Sequence, residues 1–233
     1  MNRVLAASRL QLVHPAVILG VPWAVVASSF VINWAVWSLA DLRHQAGEDG
    51  FTGGILALYV TVALVFVQAV TQLLPFAMGV SLSRRSYWMG TALVGILSSV
   101  GYGLVLAVLS RIESATDGWG VGLKFWAPVP LRVDHFFLQI LVSGAPMLAF
   151  VFAGIGIGVA FKRWGPTGLW TLSILGTLLL GGLAVLITWL HAWRDVGRWL
   201  ADQSLGTLAI GMPVAIAAVL AALSFQGIRR VVP

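Results

Sequence analysis

The hydrophobic pattern of the chain consists of six long apolar stretches separated by short polar segments. The stretches cover residues 16–40, 54–82, 88–110, 136–161, 168–190 and 206–227. A helix needs roughly 20 residues, at 1.5 Å rise each, to cross the hydrocarbon core of a bilayer. No stretch carries Asp, Glu, Lys, Arg or His away from its ends. The pattern therefore predicts an all-α, polytopic membrane protein with six transmembrane helices, in a single domain over residues 1–233.

The composition supports this prediction and excludes two other classes of protein. The chain is 59% hydrophobic and 9% charged, with a mean hydropathy of +0.95, whereas soluble domains carry about 25% charged residues. The net charge is +6, but the basic residues are scattered among apolar spans and form no recognition helix, which excludes a nucleic-acid-binding protein. The absence of cysteine excludes a disulfide framework and a thiol nucleophile.

The charges separate cleanly once the six stretches are taken to cross the membrane in alternating directions. The side of the termini then holds eight basic residues and no acidic ones, which gives +8: Arg3, Arg9, Arg84, Arg85, Lys162, Arg163, Arg229 and Arg230. The other side holds six basic residues and all eight acidic ones, which gives −2, and the two sums recover +6. Because basic residues concentrate on the cytoplasmic side, the sequence predicts cytoplasmic N- and C-termini in a bacterial inner membrane.

Three segments outside the apolar stretches have patterns of their own. Residues 1–14 are weakly helical, and we expect either an interfacial helix on the inner surface or only a positive anchor. Residues 111–135 form a long extracytoplasmic connection with several glycines and prolines, in which Trp119, Phe125 and Trp126 suit the membrane interface. Residues 191–204 predict an amphipathic extracytoplasmic helix whose tryptophans would lie in the headgroups.

Small residues recur at intervals of four in three of the predicted spans. The stripes are Thr91, Gly95, Ser99 and Gly103 in the third, Gly154 and Gly158 in the fourth, and Ser173, Thr177 and Gly181 in the fifth. Apolar attraction between helices is weak in lipid, so such stripes favour close contact of helix backbones. They predict a packed bundle and do not indicate a cargo.

No pattern of residues indicates catalysis. The spans lack the buried ionisable residue that proton- or sodium-coupled carriers use, and neither Lys124 nor Lys162 lies in a phosphate-binding loop. We therefore expect no catalytic residue, metal site or cofactor in this chain. Any ATP hydrolysis that drives it would belong to a separate subunit.

Polar residues within the spans permit two interpretations. The residues are Asn33, Gln68, Thr71, Gln72, Ser99 and Tyr102. They could line a substrate path, or they could make ordinary hydrogen bonds between helices, worth about 0.6 kcal/mol each on average. We favour the second interpretation, because a buried amide needs a partner whatever the function is.

The turn between the second and third spans, Ser81–Thr91, reads SLSRRSYWMGT. Its two arginines alone indicate only that the turn lies on the cytoplasmic side, since the pairs Lys162–Arg163 and Arg229–Arg230 on that side are equally basic. Its hydroxyl and aromatic groups are more specific, and they predict a contact surface for a cytoplasmic partner. The residues of this predicted surface are Ser83, Arg84, Arg85, Ser86 and Tyr87.

At these residues the chain resembles the membrane subunit of an ABC-2 type transporter. The resemblance lies in the six-span layout and in the pattern of Ser81 (where a glycine is more usual), Ser83, Arg84, Arg85, Tyr87 or Trp88, Gly90 and Thr91. The amphipathic segment His191–Ser204 likewise resembles the outer re-entrant helices of that family.

The resemblance implies a permease that couples to a separate ATPase. The 81–91 turn would be a coupling helix that docks into a cytoplasmic ABC ATPase subunit, which binds ATP and Mg²⁺. A second permease, either a copy or a paralogue, would complete the assembly. Because the lipid zone holds no charged site, we expect export of an amphipathic or hydrophobic cargo. The alternatives are a membrane scaffold or sensor subunit that transports nothing, and a small channel with an apolar gate.

Overall fold

The computed structural model describes residues 3–11, 16–40, 52–127 and 131–230, and these are helical apart from short turns and the irregular connection between residues 115 and 136. The helices are α1 (Arg3–Gln11), α2 (Val21–Leu39), α3 (Gly53–Gly79), α4 (Arg84–Ala115), α5 (Phe136–Trp189), α6 (Trp193–Asp202) and α7 (Thr207–Ile228). The predicted all-α class is confirmed for these residues. The polar connection at 41–51, the residues 12–15, and Pro128 to Pro130 lie outside the described part of the chain.

Five helices are long and apolar enough to cross a membrane, where the sequence pattern predicts six. They are Ile18–Leu39, Gly53–Gly79, Arg84–Ala115, Phe136–Trp189 and Thr207–Ile228. The difference arises in α5, which contains both predicted spans 136–161 and 168–190. The chain is thus a multi-pass membrane protein, and the number of crossings depends on how α5 runs.

Helix α5 is interrupted at Gly165. This residue has φ +65° and ψ −161°, a non-helical conformation that divides α5 into segments 136–164 and 166–189. Leu172 from the second segment lines the same cavity as Ala153 from the first. A continuous helix would separate these two residues by about 28 Å at 1.5 Å per residue, so the chain changes direction at Gly165.

The small-residue stripes of α4 and of the first α5 segment lie where backbones approach each other. A Cβ atom on Gly154 would stand 2.2 Å from the Ala63 carbonyl oxygen of α3, and one on Gly103 would stand 2.6 Å from the Ile140 carbonyl oxygen. Gly95 is similarly close to Val151. The predicted close packing is confirmed for these stripes, and α3, α4 and the first α5 segment surround the core.

The second α5 segment has a different environment. Its side chains are mostly exposed between residues 170 and 190, and a Cβ atom on Gly181 would meet nothing within 4 Å. The third predicted stripe, which includes Ser173 and Thr177, therefore lies on an open face. In a membrane such a face contacts lipid or another protein.

The connection after α4 folds into the bundle. The Glu113 carboxylate accepts hydrogen bonds from the backbone N–H groups of Phe125 and Trp126, at 2.8 and 3.1 Å. Phe125 is fully buried and Trp126 stacks on Phe30 of α2, with ring centroids 5.4 Å apart. Phe125 and Trp126 therefore pack inside the protein, and the expectation that they lie at the depth of the membrane interface stays a prediction.

The predicted amphipathic helix after α5 is present as α6. Its charged residues Arg194, Asp195 and Arg198 lie on one face, with Trp193 and Trp199 on the other, and Arg198 pairs with Asp195. His191 just before it adopts φ +53° and ends α5. Hydrogen bonds from the N–H groups of His191 and Ala192 to the carbonyls of Thr188 and Ile187 close that turn.

Candidate functional site

The turn between α3 and α4 is a tight, hydrogen-bonded structure. Ser81 has φ +62°, a left-handed conformation that favours glycine. The N–H groups of Ser81 and Leu82 donate to the carbonyl oxygens of Met78 and Ala77, at 3.1 and 3.0 Å. This pair of bonds is the Schellman arrangement that ends many helices. Ser81 therefore occupies a position where glycine is usual, because the backbone there has a positive φ.

Ser83 caps the next helix. Its backbone is extended (φ −72°, ψ 147°), and its side-chain oxygen accepts a hydrogen bond from the Ser86 N–H at 3.1 Å. The Ser83 hydroxyl also donates to the Ser86 hydroxyl at 2.9 Å. An N-cap of this kind contributes about 1 kcal/mol to helix stability. With α3 closed at Ser81 and α4 capped at Ser83, the turn has little freedom to deform.

The two arginines of the turn differ in exposure. Arg85 is exposed, whereas Arg84 is half-buried and its Nε atom is enclosed without a hydrogen-bond partner among the described residues. The Arg85 guanidinium lies 5.9 Å from the centroid of the Phe225 ring in α7, and Arg229 lies at the same distance. Arg85 is thus the charge of this turn that is best placed to meet a partner.

The turn is also attached to the end of α7. The Trp88 indole N–H donates to the Ser224 hydroxyl at 3.1 Å, and the Trp88 and Phe225 rings meet edge to face at 5.0 Å. Phe225 therefore connects Arg85 and Trp88 to α7. A force on Arg85 would reach α7 as well as α3 and α4.

Tyr87 lies inside the protein, with 1% of its surface exposed. Its hydroxyl donates to the Ala69 carbonyl oxygen at 2.7 Å and accepts from the Gln11 amide nitrogen at 3.1 Å. The same Gln11 nitrogen donates to the Thr91 hydroxyl at 2.9 Å. Tyr87 therefore joins α1, α3 and α4, and it lies inside the protein and not on the surface of the turn.

The N-terminal helix packs against the base of the turn. Ala7 of α1 is fully buried, and a Cβ atom on Gly90 would stand 2.7 Å from the Ala7 methyl group. Gln11 is 2% exposed. The sequence predicts that α1 lies on the membrane surface or serves as a positive anchor, and it gives no sign of the role of Gln11, which stands between Leu10 and Leu12 and belongs to no motif.

Ala69 belongs to a π-helical turn of α3, Ala69–Leu73, that interrupts the regular hydrogen bonding of this helix. Such turns are frequent at functional sites. Tyr87 satisfies one carbonyl of the interruption, so the start of α4 is linked directly to the most irregular part of α3.

The predicted path residues do not form one continuous lining. Thr71 and Gln72 lie within the π-helical turn and Gln68 lies directly before it. Gln68 and Gln72 are exposed, and the Thr71 hydroxyl donates to the Val67 carbonyl at 2.9 Å. The other three lie in separate helix contacts and also donate to backbone carbonyls: Asn33 to Ser29 at 2.8 Å, Ser99 to Gly95 at 2.8 Å, and Tyr102 to Ile18 at 3.2 Å. The bonds of Asn33, Thr71 and Ser99 lie within one helix, and that of Tyr102 joins two helices. Both interpretations of these residues, as a path or as bonds between helices, stay predictions.

No protein-family model, curated protein or solved structure matches the chain. Within the described ranges, no three His, Cys, Asp or Glu residues approach closely enough to hold a metal ion. The functional interpretation therefore depends on the geometry of the chain and on the sequence pattern of the turn.

Proposed function

We propose that the chain is the membrane-spanning permease subunit of an ABC transporter of the ABC-2 type. The observation that carries this proposal is the turn at residues 81–91. It presents Ser83 and Arg85 at the surface, it is closed by Schellman and N-cap hydrogen bonds, and Tyr87 ties it to α1 and α3. A short rigid turn with this attachment can transmit a displacement to several membrane helices at once.

The proposed arrangement has six crossings with both termini in the cytoplasm. The break at Gly165 supports the sixth crossing, because α5 as one straight helix would be about 81 Å long, more than twice the roughly 30 Å hydrocarbon core. The separation of +8 and −2 charges supports the orientation. In this arrangement the 81–91 turn faces the cytoplasm, while 111–135 and 191–204 are extracytoplasmic, and the membrane is a bacterial inner membrane.

The proposed partners are a cytoplasmic ABC ATPase subunit and a second permease, either a copy or a paralogue. The ATPase would bind ATP and Mg²⁺, and no cofactor is assigned to this chain. The open face of the second α5 segment, with Ser173, Thr177 and Gly181, supports a second permease, because small residues favour close helix contact in lipid. ATP-driven closure of the ATPases would displace the turn and shift the bundle between inward- and outward-open states.

The cargo class is an amphipathic or hydrophobic molecule moved outward. This follows from the absence of a charged residue in the middle of the predicted spans, since a hydrophilic ionic cargo would need a charged or strongly polar site there.

Accessibility of single cysteines tests the arrangement, and the natural absence of cysteine makes each substitution unambiguous. Cysteines replacing Glu48, Asp117 and Asp202 are expected to react with a membrane-impermeant maleimide in intact cells. A cysteine replacing Arg230 is expected to react only after lysis. Labelling in the opposite pattern would contradict the proposed orientation.

ATP hydrolysis in proteoliposomes tests the function. We expect the rate of the cognate ATPase to change severalfold when this chain is present, because the turn would couple hydrolysis to movement of the bundle. A rate that is unaffected by assembly, with no cargo flux, would indicate the scaffold or sensor subunit. Flux without ATP would indicate the channel.

A further inference from the structure

A cavity of about 470 Å³ lies between the first α5 segment and α7. None of its lining residues belongs to the 81–91 turn or to the predicted path residues, although Ser224 in its wall accepts the hydrogen bond of Trp88. Its volume falls within the range of small-molecule sites in proteins, about 300–1,000 Å³. Its wall includes Ala153, Gly156, Ile157 and Leu223, which are apolar, and it also includes Arg163 and Arg230. The cavity therefore combines an apolar wall with two cationic groups.

The charged and apolar parts are separated along the cavity. Arg163 lies two helical turns beyond Gly156, and Arg230 lies two turns beyond Leu223. Gly227 of α7 meets Val159 of α5, and in the proposed six-crossing arrangement, on which this step rests, both helices run toward the cytoplasm. Both guanidinium groups are therefore at one end. Within the described residues no carboxylate forms an ion pair with either of them.

The apolar part is open to the side of the protein. Ile157, Leu172 and Leu223 line the cavity and are exposed. A Cβ atom on Gly156 would meet nothing within 4 Å, so the absence of a side chain at this position leaves room in the cavity. An opening bordered by exposed apolar residues on membrane helices admits a molecule from the bilayer.

We propose that this cavity binds a phospholipid with an anionic headgroup. The phosphate would accept hydrogen bonds from Arg163 and Arg230, whose planar guanidinium groups suit phosphate geometry, and an acyl chain would lie along the apolar wall. Basic pockets between membrane helices bind anionic headgroups in this way. The proposal does not rest on the ATPase partner, because neither Arg163 nor Arg230 belongs to the 81–91 turn.

Native mass spectrometry of the full chain in detergent tests the site, with phosphatidylglycerol and phosphatidylcholine of identical acyl chains as probes. Phosphatidylglycerol is expected to bind about tenfold more tightly, given the usual attraction of an anionic lipid to each basic residue. Inorganic phosphate at the same concentration is expected not to compete. Equal affinity for the two lipids, or full competition by phosphate, would overturn the proposal.

Two pairs of variants locate the binding. Arg163→Gln with Arg230→Gln is expected to remove the preference for phosphatidylglycerol, whereas Arg194→Gln with Arg198→Gln, which removes the same charge at the other end, is expected to keep it.

Gly156→Leu fills the cavity and is expected to weaken binding of both lipids about fivefold, as steric exclusion of an acyl chain should, while Gly176→Leu on the open α5 face leaves it unchanged. If Gly156→Leu binds lipid like the natural chain, the acyl chain does not lie in this cavity.

Discussion

Gly154→Ala is expected to destabilise the bundle by about 2 kcal/mol, within the range of 1–3 kcal/mol found for overpacked cores. The added methyl group would stand 2.2 Å from the Ala63 carbonyl oxygen and 2.9 Å from its carbon. These are backbone atoms of α3, which cannot rotate away as a side chain can. Relief requires α3 and α5 to separate, and their separation loosens contacts along both helices.

Gly156→Ala is the matched control, because it makes the same chemical change two residues away. Its methyl group would meet nothing within 4 Å, and alanine has the higher helix propensity, so we expect no loss of stability. Thermal unfolding in detergent, followed by the fluorescence of the 11 tryptophans, is the measurement. A shift of about 5 °C for Gly154→Ala alone corresponds to the expected energy, and equal midpoints for the two variants would contradict the close contact of α3 and α5.

Arg85→Glu is expected to weaken binding of the ATPase subunit by at least about tenfold, since losing one partner of a buried interfacial charge pair costs 2–5 kcal/mol or more. Arg85 is the exposed arginine of the turn, whereas Arg84 is half-buried. Changing Arg85 alone therefore alters the surface and leaves the enclosed Arg84 in place. The Ser83 cap and the Tyr87 hydrogen bonds do not involve Arg85, so the chain should insert and fold normally.

Lys162→Glu is the control for Arg85→Glu, because it reverses one charge on the same side of the membrane in another segment. The measurement is the amount of ATPase retained on the tagged chain after detergent extraction, normalised to the chain itself. Equal retention by the two variants would mean that the turn contributes only to membrane orientation. Loss of the ATPase from both variants would indicate a general electrostatic attraction in place of a specific docking surface.

The sequence predicts the helices well because a span of about 20 apolar residues is a local property. It predicts the packing of Gly95, Gly103 and Gly154 for a similar reason, since small residues at intervals of four lie on one helix face. It does not reveal which apolar face meets protein and which meets lipid, because both environments accept the same side chains. The open stripe at Ser173, Thr177 and Gly181 looks identical in sequence to the packed stripes.

Several features that the sequence does not reveal depend on contacts between residues far apart in the chain. Tyr87 reads as a surface aromatic residue, yet it is buried by Gln11, which lies 76 positions away, and by Ala69. Phe125 and Trp126 suit an interface by type, but Glu113 holds their backbone inside the bundle. The sequence indicates the break in α5 at Gly165 only as a short polar segment between two apolar stretches. The positive φ of a single glycine does not change the hydrophobic pattern.

Photo-crosslinking from position 85 tests the central claim most directly. A photoreactive amino acid in place of Arg85, incorporated in the native host and activated in its membranes, is expected to capture a protein that carries an ATP-binding phosphate loop. The yield should change when ATP replaces nucleotide-free buffer, and the same residue in place of Asp202 should not capture that protein. Capture of lipid or of other proteins alone from position 85, with no ATPase under either condition, would contradict the account.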